Sequence, residues 1–247
     1  MWTASQIQKH IKASKLLDRV QGDVFLYISK HPDCTEYEVQ QFIKRRYGHY
    51  GLQPDKAREP AIVAFGASSA VPHYWPSPTG SKRLKPNTLV LVDIWAKLKE
   101  KDAPFADITW IGFYGHKIPP QVQKVWDTIS LGRDRAIKLI ERKLKLGTAP
   151  SGLEIDNIAR ETTEDAGLGK YILHRTGHSI GTSSPHGPYR HVNSSNPYPL
   201  VKNLGYTIEP GIYIPNKFGI RSEIDFYIDS QNRLRVTTPV QNKIVKI

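Results

Sequence analysis

Cysteine is almost absent: Cys34 is the only one in 247 residues. A single thiol excludes an internal disulfide framework and any thiolate-ligated metal cluster. A reducing, cytoplasmic compartment is the default that follows. Long apolar runs are absent too. No stretch approaches the ~20 residues of a membrane-spanning helix, so no membrane is expected among the partners. The segment Met1 to Lys12 lacks a charged start followed by an apolar core and does not read as a secretory signal. Acids are the minority charge, 23 Asp+Glu against 35 Lys+Arg, a formal net charge of +12. That balance invites a nucleic-acid reading. The basic residues are dispersed rather than gathered into a block, so nucleic acid is not expected as a partner. The rest of the composition, 39% hydrophobic and 23% charged, is that of a folded globular chain. No low-complexity linker divides it, so a single domain over 1–247 is expected.

Periodicity sets out the elements. Ile7, Ile11, Leu16 and Leu17 repeat at helical spacing up to Gly22, and a second helix is expected after Thr35, with Glu38 completing a capping box. Apolar runs at 61–65, 89–95 and 105–111 read as strands, the last two as a hairpin, with a Pro/Ser/Gly-rich connection over 72–86. Helices are expected over 119–146, closed by Gly147, and from Ser151 to Ala166, closed by Gly167. Strands are expected again at 171–173, 206–209, 220–228 and 243–247. The order is helix, helix, strands, repeated once: an α+β chain with two similar halves.

Both strand groups carry acids where apolar residues belong. Asp93 interrupts an aliphatic run and Asp107 precedes Ile108; Glu209 and Glu223 do the same in the second half. Each pair is separated by 14 residues. Asp is a poor strand former, and a buried unpaired carboxylate is costly. Four converging carboxylates demand a cation. His178, flanked by Gly177 and Gly181, supplies a neutral nitrogen, with His174 and His186 nearby. An oxygen-rich set with one imidazole suits Mn²⁺, Co²⁺, Fe²⁺ or Zn²⁺ better than copper or an iron–sulfur cluster. It is the inventory of a two-metal hydrolytic site.

These motifs closely resemble a known family. Asp107-Ile108-Thr109, Gly177-His178-Ser179-Ile180-Gly181, Ile208-Glu209-Pro210-Gly211 and Arg221-Ser222-Glu223-Ile224-Asp225 follow in the order of the pita-bread metallopeptidases. These include methionine aminopeptidases and Xaa-Pro peptidases. The resemblance implies the pita-bread fold, two pseudo-symmetric α-α-β-β halves around a curved antiparallel sheet. It implies two divalent ions, with Asp93 on one, Glu209 and His178 on the other, and Asp107 and Glu223 bridging. A bridged water or hydroxide would then attack the N-terminal peptide bond, Glu209 would shuttle the proton, and His73 would contact the substrate. His174, four residues before His178, and Arg221, two before Glu223, resemble the Xaa-Pro branch, prolidase and aminopeptidase P, and imply substrate contacts.

The chain also departs from the family's wording. Trp110 follows Asp-Ile-Thr where arginine is usual. His186 lies eight residues after His178 rather than seven, with His191 as a rival, and Gly187 replaces the acid that often follows. The large N-terminal domain of typical prolidases has no counterpart in these residues, which leaves substrate length and a homodimeric assembly open. A peptide is the expected substrate. A methionine aminopeptidase, a metal-independent amidinohydrolase or a non-peptidase binding module on the same fold are the alternatives.

Overall fold

Thr3 caps the first helix with a full capping box to Gln6, and α1 runs Ala4–Lys30. The computed structural model describes residues 1–55 and 61–247. The expected stop at Gly22 does not occur. Val24, Phe25 and Ile28 continue the buried stripe of Leu17 and Val20. Their burial, about 1.5–3 kcal/mol per large side chain, outweighs a glycine cost near 1 kcal/mol. α2 (Glu36–His49) starts at the expected capping box of Thr35 and Glu38. α3 (Pro120–Lys145) and α4 (Gly152–Asp165) follow the sequence expectation closely.

The first-half strands are β1 (Leu52–Gln53), β2 (Ala61–Phe65), β3 (Thr88–Leu98) and β4 (Ala106–Tyr114). β3 pairs antiparallel with both β2 and β4, placing Asp93 opposite Thr109 and Trp95 opposite Asp107. Alternation does the rest. Val63, Val92, Ile94 and Ile108 face α1 and α2, packing with Leu17, Val24, Val39 and Ile43. Ile62, Leu91, Trp95 and Ile111 face the other way, into a core shared with Trp126, Ile129, Ile212 and Ile220. Asp93, Asp107 and Thr109 share that second face, which makes them interior residues.

The second half contains β5 (Gly205–Ile208), β6 (Gly211–Ile214), β7 (Phe218–Arg221) and β8 (Ile224–Ile228). β5 pairs with β8 and β6 with β7 in one shared register. The expected hairpin is therefore a long one, broken at Glu209-Pro210 on one side and Ser222-Glu223 on the other. Pro210 has no N–H for the ladder, and the break turns both glutamates out of it. Two short strands complete the fold: β9 (Leu234–Val236) on β8, and β10 (Val245–Lys246), which lies parallel to β4. The strand expected at 171–173 is instead a 3-10 turn, Gly169–Tyr171, followed by extended chain.

Two buried polar side chains lock this arrangement. Arg133 of α3 donates to Ser222 Oγ and to Gln241 O, both at 2.8 Å, and so supports the break beside Glu223. Gln241 accepts from Ile111 N–H (2.9 Å) and donates to Ile111 O (2.7 Å), replacing a missing strand on β4.

Gly22 is exposed on α1, and a Cβ built there meets nothing within 4 Å. Gly22→Ala should stabilise the protein by about 0.5–1 kcal/mol, read as a higher urea midpoint at unchanged m-value.

Candidate metal centre

The two acid-bearing hairpins meet at Thr109. Glu223 N–H donates to Thr109 O (3.3 Å), and Thr109 Oγ1 donates to Glu223 Oε2 (2.8 Å). His178 arrives on the chain after α4. Gly177 pairs with Val192 on one side and sits against Thr207 on the other, where a built Cβ falls 2.1 Å from Thr207 O. Glycine is required there by space, not by a special backbone angle. Glu209 N–H donates to Thr176 O (2.6 Å), tying its break to the histidine segment.

The result is a cavity of about 320 Å³ lined by Asp93, Asp107, His178, Glu209 and Glu223, together with His73, His174, His186 and Arg221. All nine residues singled out in the sequence are on its wall. His178 Nε2 stands 3.3 Å from Glu209 Oε1 and 3.7 Å from Asp107 Oδ2. Its Nδ1 lies 2.9 Å from Ser179 O, which can only accept, so Nδ1 carries the proton. Burial, with His186 beside it, keeps the ring neutral by lowering its pKa well below the usual value. Nε2 therefore presents a lone pair to the acids.

The acids are held against their own repulsion. Burial, then Glu223 and the other acids, pushes Asp107 well above the usual range; burial, then Glu209 and Asp93, does the same to Glu223. Burial pushes Glu209 up to about 7 against the pull of Arg221. Asp93 is raised as well, burial outweighing Arg221. Arg221, 3% exposed, is spent on this framework. It pairs with Asp93 Oδ2, donates from Nε to Thr109 Oγ1 (3.1 Å) and from Nη1 to Tyr213 Oη (2.7 Å). Tyr213 in turn meets His174 Nε2 at 2.7 Å. His174 Nδ1–H donates to Arg175 O (2.7 Å) and burial lowers its pKa to about 3, so Tyr213 is the donor in that bond.

Of the two downstream histidines, His186 lines the cavity, its ring 4.2 Å from that of His178. A tight loop makes this possible: Ile180 bridges to His186, and Gly187 N–H donates to Ser179 O (2.7 Å). His191 turns away, accepting from Ser179 N–H at 3.3 Å. His73 and Trp75 are on the exposed rim, where Trp75 packs edge-on against Trp95 at 6.0 Å. Their loop is anchored by buried Glu36, which accepts from Phe65 N–H, Tyr74 O–H and Lys82 N–H at 2.6–2.7 Å.

A model of metallopeptidase family M24 matches residues 8–230. The chain belongs to that family. Among solved structures it is similar to the X-Pro aminopeptidase of Thermotoga maritima, with a TM-score of 0.86 and 26% identity over all of this chain and 64% of that one. The prolidase of Thermococcus sibiricus gives 0.85 and 26% over all of this chain and 62% of that one. These likenesses bear out the pita-bread fold. An uncharacterized peptidase of Schizosaccharomyces pombe is 32% identical over 194 residues, 78% of this chain and 40% of the relative. One of Staphylococcus aureus is 30% identical over 226 residues, 92% of this chain and 59% of the relative. The M24 chain thus spans between two fifths and three fifths of these curated relatives. No helix among its described residues is long and apolar enough to cross a membrane.

The M24 donor set fits a divalent cation. Asp93 Oδ1 and Asp107 Oδ1 are buried with no hydrogen-bond partner. Ligand atoms of Asp107, His178 and Glu223 all lie within 4.8 Å of one another. Oxygen donors and one imidazole match Mn²⁺, Co²⁺, Fe²⁺ or Zn²⁺. Residues beyond the sequence reading also contribute. Thr109 links Glu223 to Arg221, Tyr213 links Arg221 to His174, and Asp225 Oδ2 accepts the Asp107 N–H at 2.9 Å. Asp225 follows Glu223 by two, a strand-period signal present in the sequence. Thr109 stands in the Asp107-Ile108-Thr109 motif, whereas Tyr213 looks like an ordinary strand residue and gave no signal.

Metal binding and repulsion predict opposite signs. In metal-free protein, Asp107→Asn or Glu223→Gln should raise Tm, because each removes an acid that folding must otherwise protonate or hold ionised among like charges. Either should also abolish the Tm rise that Mn²⁺ or Co²⁺ gives the parent. Asp102→Asn, in the exposed turn at φ 54°, should change neither. Calorimetry with and without EDTA reads all three.

Proposed function

We propose that this chain is a two-metal peptidase hydrolysing the N-terminal peptide bond of Xaa-Pro di- or oligopeptides. The observation that carries it is the convergence of Asp93, Asp107, His178, Glu209 and Glu223 on one cavity shared with three further histidines. The names of the solved neighbours, an X-Pro aminopeptidase and a prolidase, support the Xaa-Pro choice. Asp93 and Glu209 with His178 would hold one divalent ion each, and Asp107 and Glu223 both. Such a pair of ions lowers the pKa of water and polarises the scissile carbonyl.

The protein's own groups do the rest. Glu209 sits 3.3 Å from His178, where its carboxylate is placed to take a proton from water and return it to the leaving amine. Thr207 Oγ1 orients it at 3.2 Å. Arg221 holds Asp93 and Thr109 in place, so its removal acts on the ligands before the substrate. His174 can donate to a developing oxyanion only by giving up Tyr213 and carrying a proton on Nε2, because its Nδ1–H is committed to Arg175 O and Nε2 accepts from Tyr213. His73 is on the rim, where a substrate entering the cavity passes it. A Pro at the second substrate position has no N–H to offer, so recognition falls to ring shape and the carbonyl beyond.

The test is a peptide panel with Mn²⁺- or Co²⁺-loaded protein, products identified by mass. Xaa-Pro and Xaa-Pro-Yaa should be cleaved faster than Met-Ala-Ser; the reverse order assigns the methionine reading instead. His174→Ala should lower kcat on Xaa-Pro substrates by about 10²–10³ with metal content intact. Loss of bound metal in that variant would place His174 among the ligands.

A further inference from the structure

Among the described residues, two guanidinium groups line the cavity, and they are in opposite states. Arg221 is committed to Asp93, Thr109 and Tyr213. Arg175 also lines the cavity and is half-buried, yet among the described residues its side chain has no hydrogen bond and no carboxylate within 4.0 Å. The attraction of Glu209 reaches it only at longer range, and burial lowers its pKa. A cation drawn out of water without a partner is unfavourable unless an anion completes it. The backbone around Arg175 is fixed on both sides. Asp156 of α4, itself fully buried, accepts Thr176 N–H (2.9 Å) and pairs with Arg160 (2.7 Å), while Arg160 donates to His174 O (3.0 Å). The guanidinium is therefore presented from a rigid stem.

We propose that Arg175 binds the free C-terminal carboxylate of a short peptide, making this site a di- or tripeptidase site and not one for long chains; this rests on the peptidase reading above. Guanidinium and carboxylate pair in bidentate geometry, the strongest form of charge-assisted hydrogen bond. Arg175 precedes His178 by three residues, at most about 10 Å of chain. One substrate residue beyond the scissile bond spans about 3.5 Å. A carboxylate one or two residues past that bond falls within the arc of an arginine side chain anchored there. Among the described residues, no other guanidinium on the cavity wall is available for the purpose.

The experiment compares Ala-Pro with Ala-Pro amide on Mn²⁺-loaded wild type, Arg175→Met and Arg175→Lys. Metal content and Tm are measured on each, so that misfolded protein is recognised. Wild type should favour the acid over the amide in kcat/KM by about 10²-fold, mainly through KM. Arg175→Met should collapse that ratio towards one, and Arg175→Lys should restore part of it. A wild-type ratio near one, or a high ratio that survives Arg175→Met, overturns the proposal. Calorimetric binding of both peptides to the same proteins runs alongside. Carboxylate-dependent binding lost in Arg175→Met, without any hydrolysis, supports Arg175 as the anchor and overturns only the peptidase reading. Binding that ignores the carboxylate overturns the anchor whatever the activity.

Discussion

Four carboxylates share one buried cavity, and almost every unusual feature of the chain answers to that crowding. Two like charges 4 Å apart repel by about 4 kcal/mol at an effective dielectric near 20. Two or three such pairs equal a domain's whole stability of about 5–15 kcal/mol. The folded protein therefore holds these acids protonated or neutralised. The raised pKa values of Asp107, Glu209 and Glu223 express the first alternative. A divalent cation supplies the second. Arg221 pairs with Asp93 and reaches Glu209 at 4.0 Å, leaving Asp107 and Glu223 without a salt bridge to it.

The scaffold has to place these side chains without adding unsatisfied groups of its own. It does so by polar locks from outside the site. Arg133 reaches from α3 to the Ser222 break, Glu36 gathers the rim loop onto α2, and Asp156 with Arg160 fixes the segment leading to His178. Arg133, Glu36 and Asp156 are buried and paired, so truncating one leaves a stranded partner at a cost of about 1–3 kcal/mol. The two sheet groups contribute differently. β3 and β4 present Asp93 and Asp107 by plain alternation from an unbroken ladder, two positions out of register. The second hairpin has to break its ladder to present Glu209 and Glu223, which face each other across the break. Sequence spacing alone, 14 residues in both halves, hid that difference.

What could be read from the sequence follows from which signals are local. Acids inside apolar runs stand out because burial makes them expensive, so Asp93, Asp107, Glu209 and Glu223 were visible without a structure. Capping boxes at Thr35 and Ser151 are three-residue patterns and were equally visible. The passage of α1 through Gly22 was not, because packing two turns further on decides it. The break at Pro210 was masked by a strand-like run on either side. Tyr213, Thr109 and Arg175 had no anomaly of composition. Their importance lies in which partners they meet, or fail to meet, and that is a property of the assembled fold.

The cavity's charge balance ties these strands together. Among the described residues, Asp93, Asp107, Glu209 and Glu223 bring four negative charges to the wall, and Arg175 and Arg221 bring two positive ones. Its histidines His174 and His178 are held neutral by burial and by Nδ1–H bonds to carbonyls. The ionised site is thus two charges negative, which one divalent ion cancels. A second ion leaves it two charges positive, in a concave and partly dry space where a field is weakly screened. Such a site attracts an anionic substrate and resists a cationic one. A peptide's free amine would then be best placed near the acids, and its carboxylate near the cation that no acid holds. On the proposed reading, the polarity of the cavity, acids at the hairpin junction and Arg175 on the α4 side, would set the direction in which a short peptide lies across it.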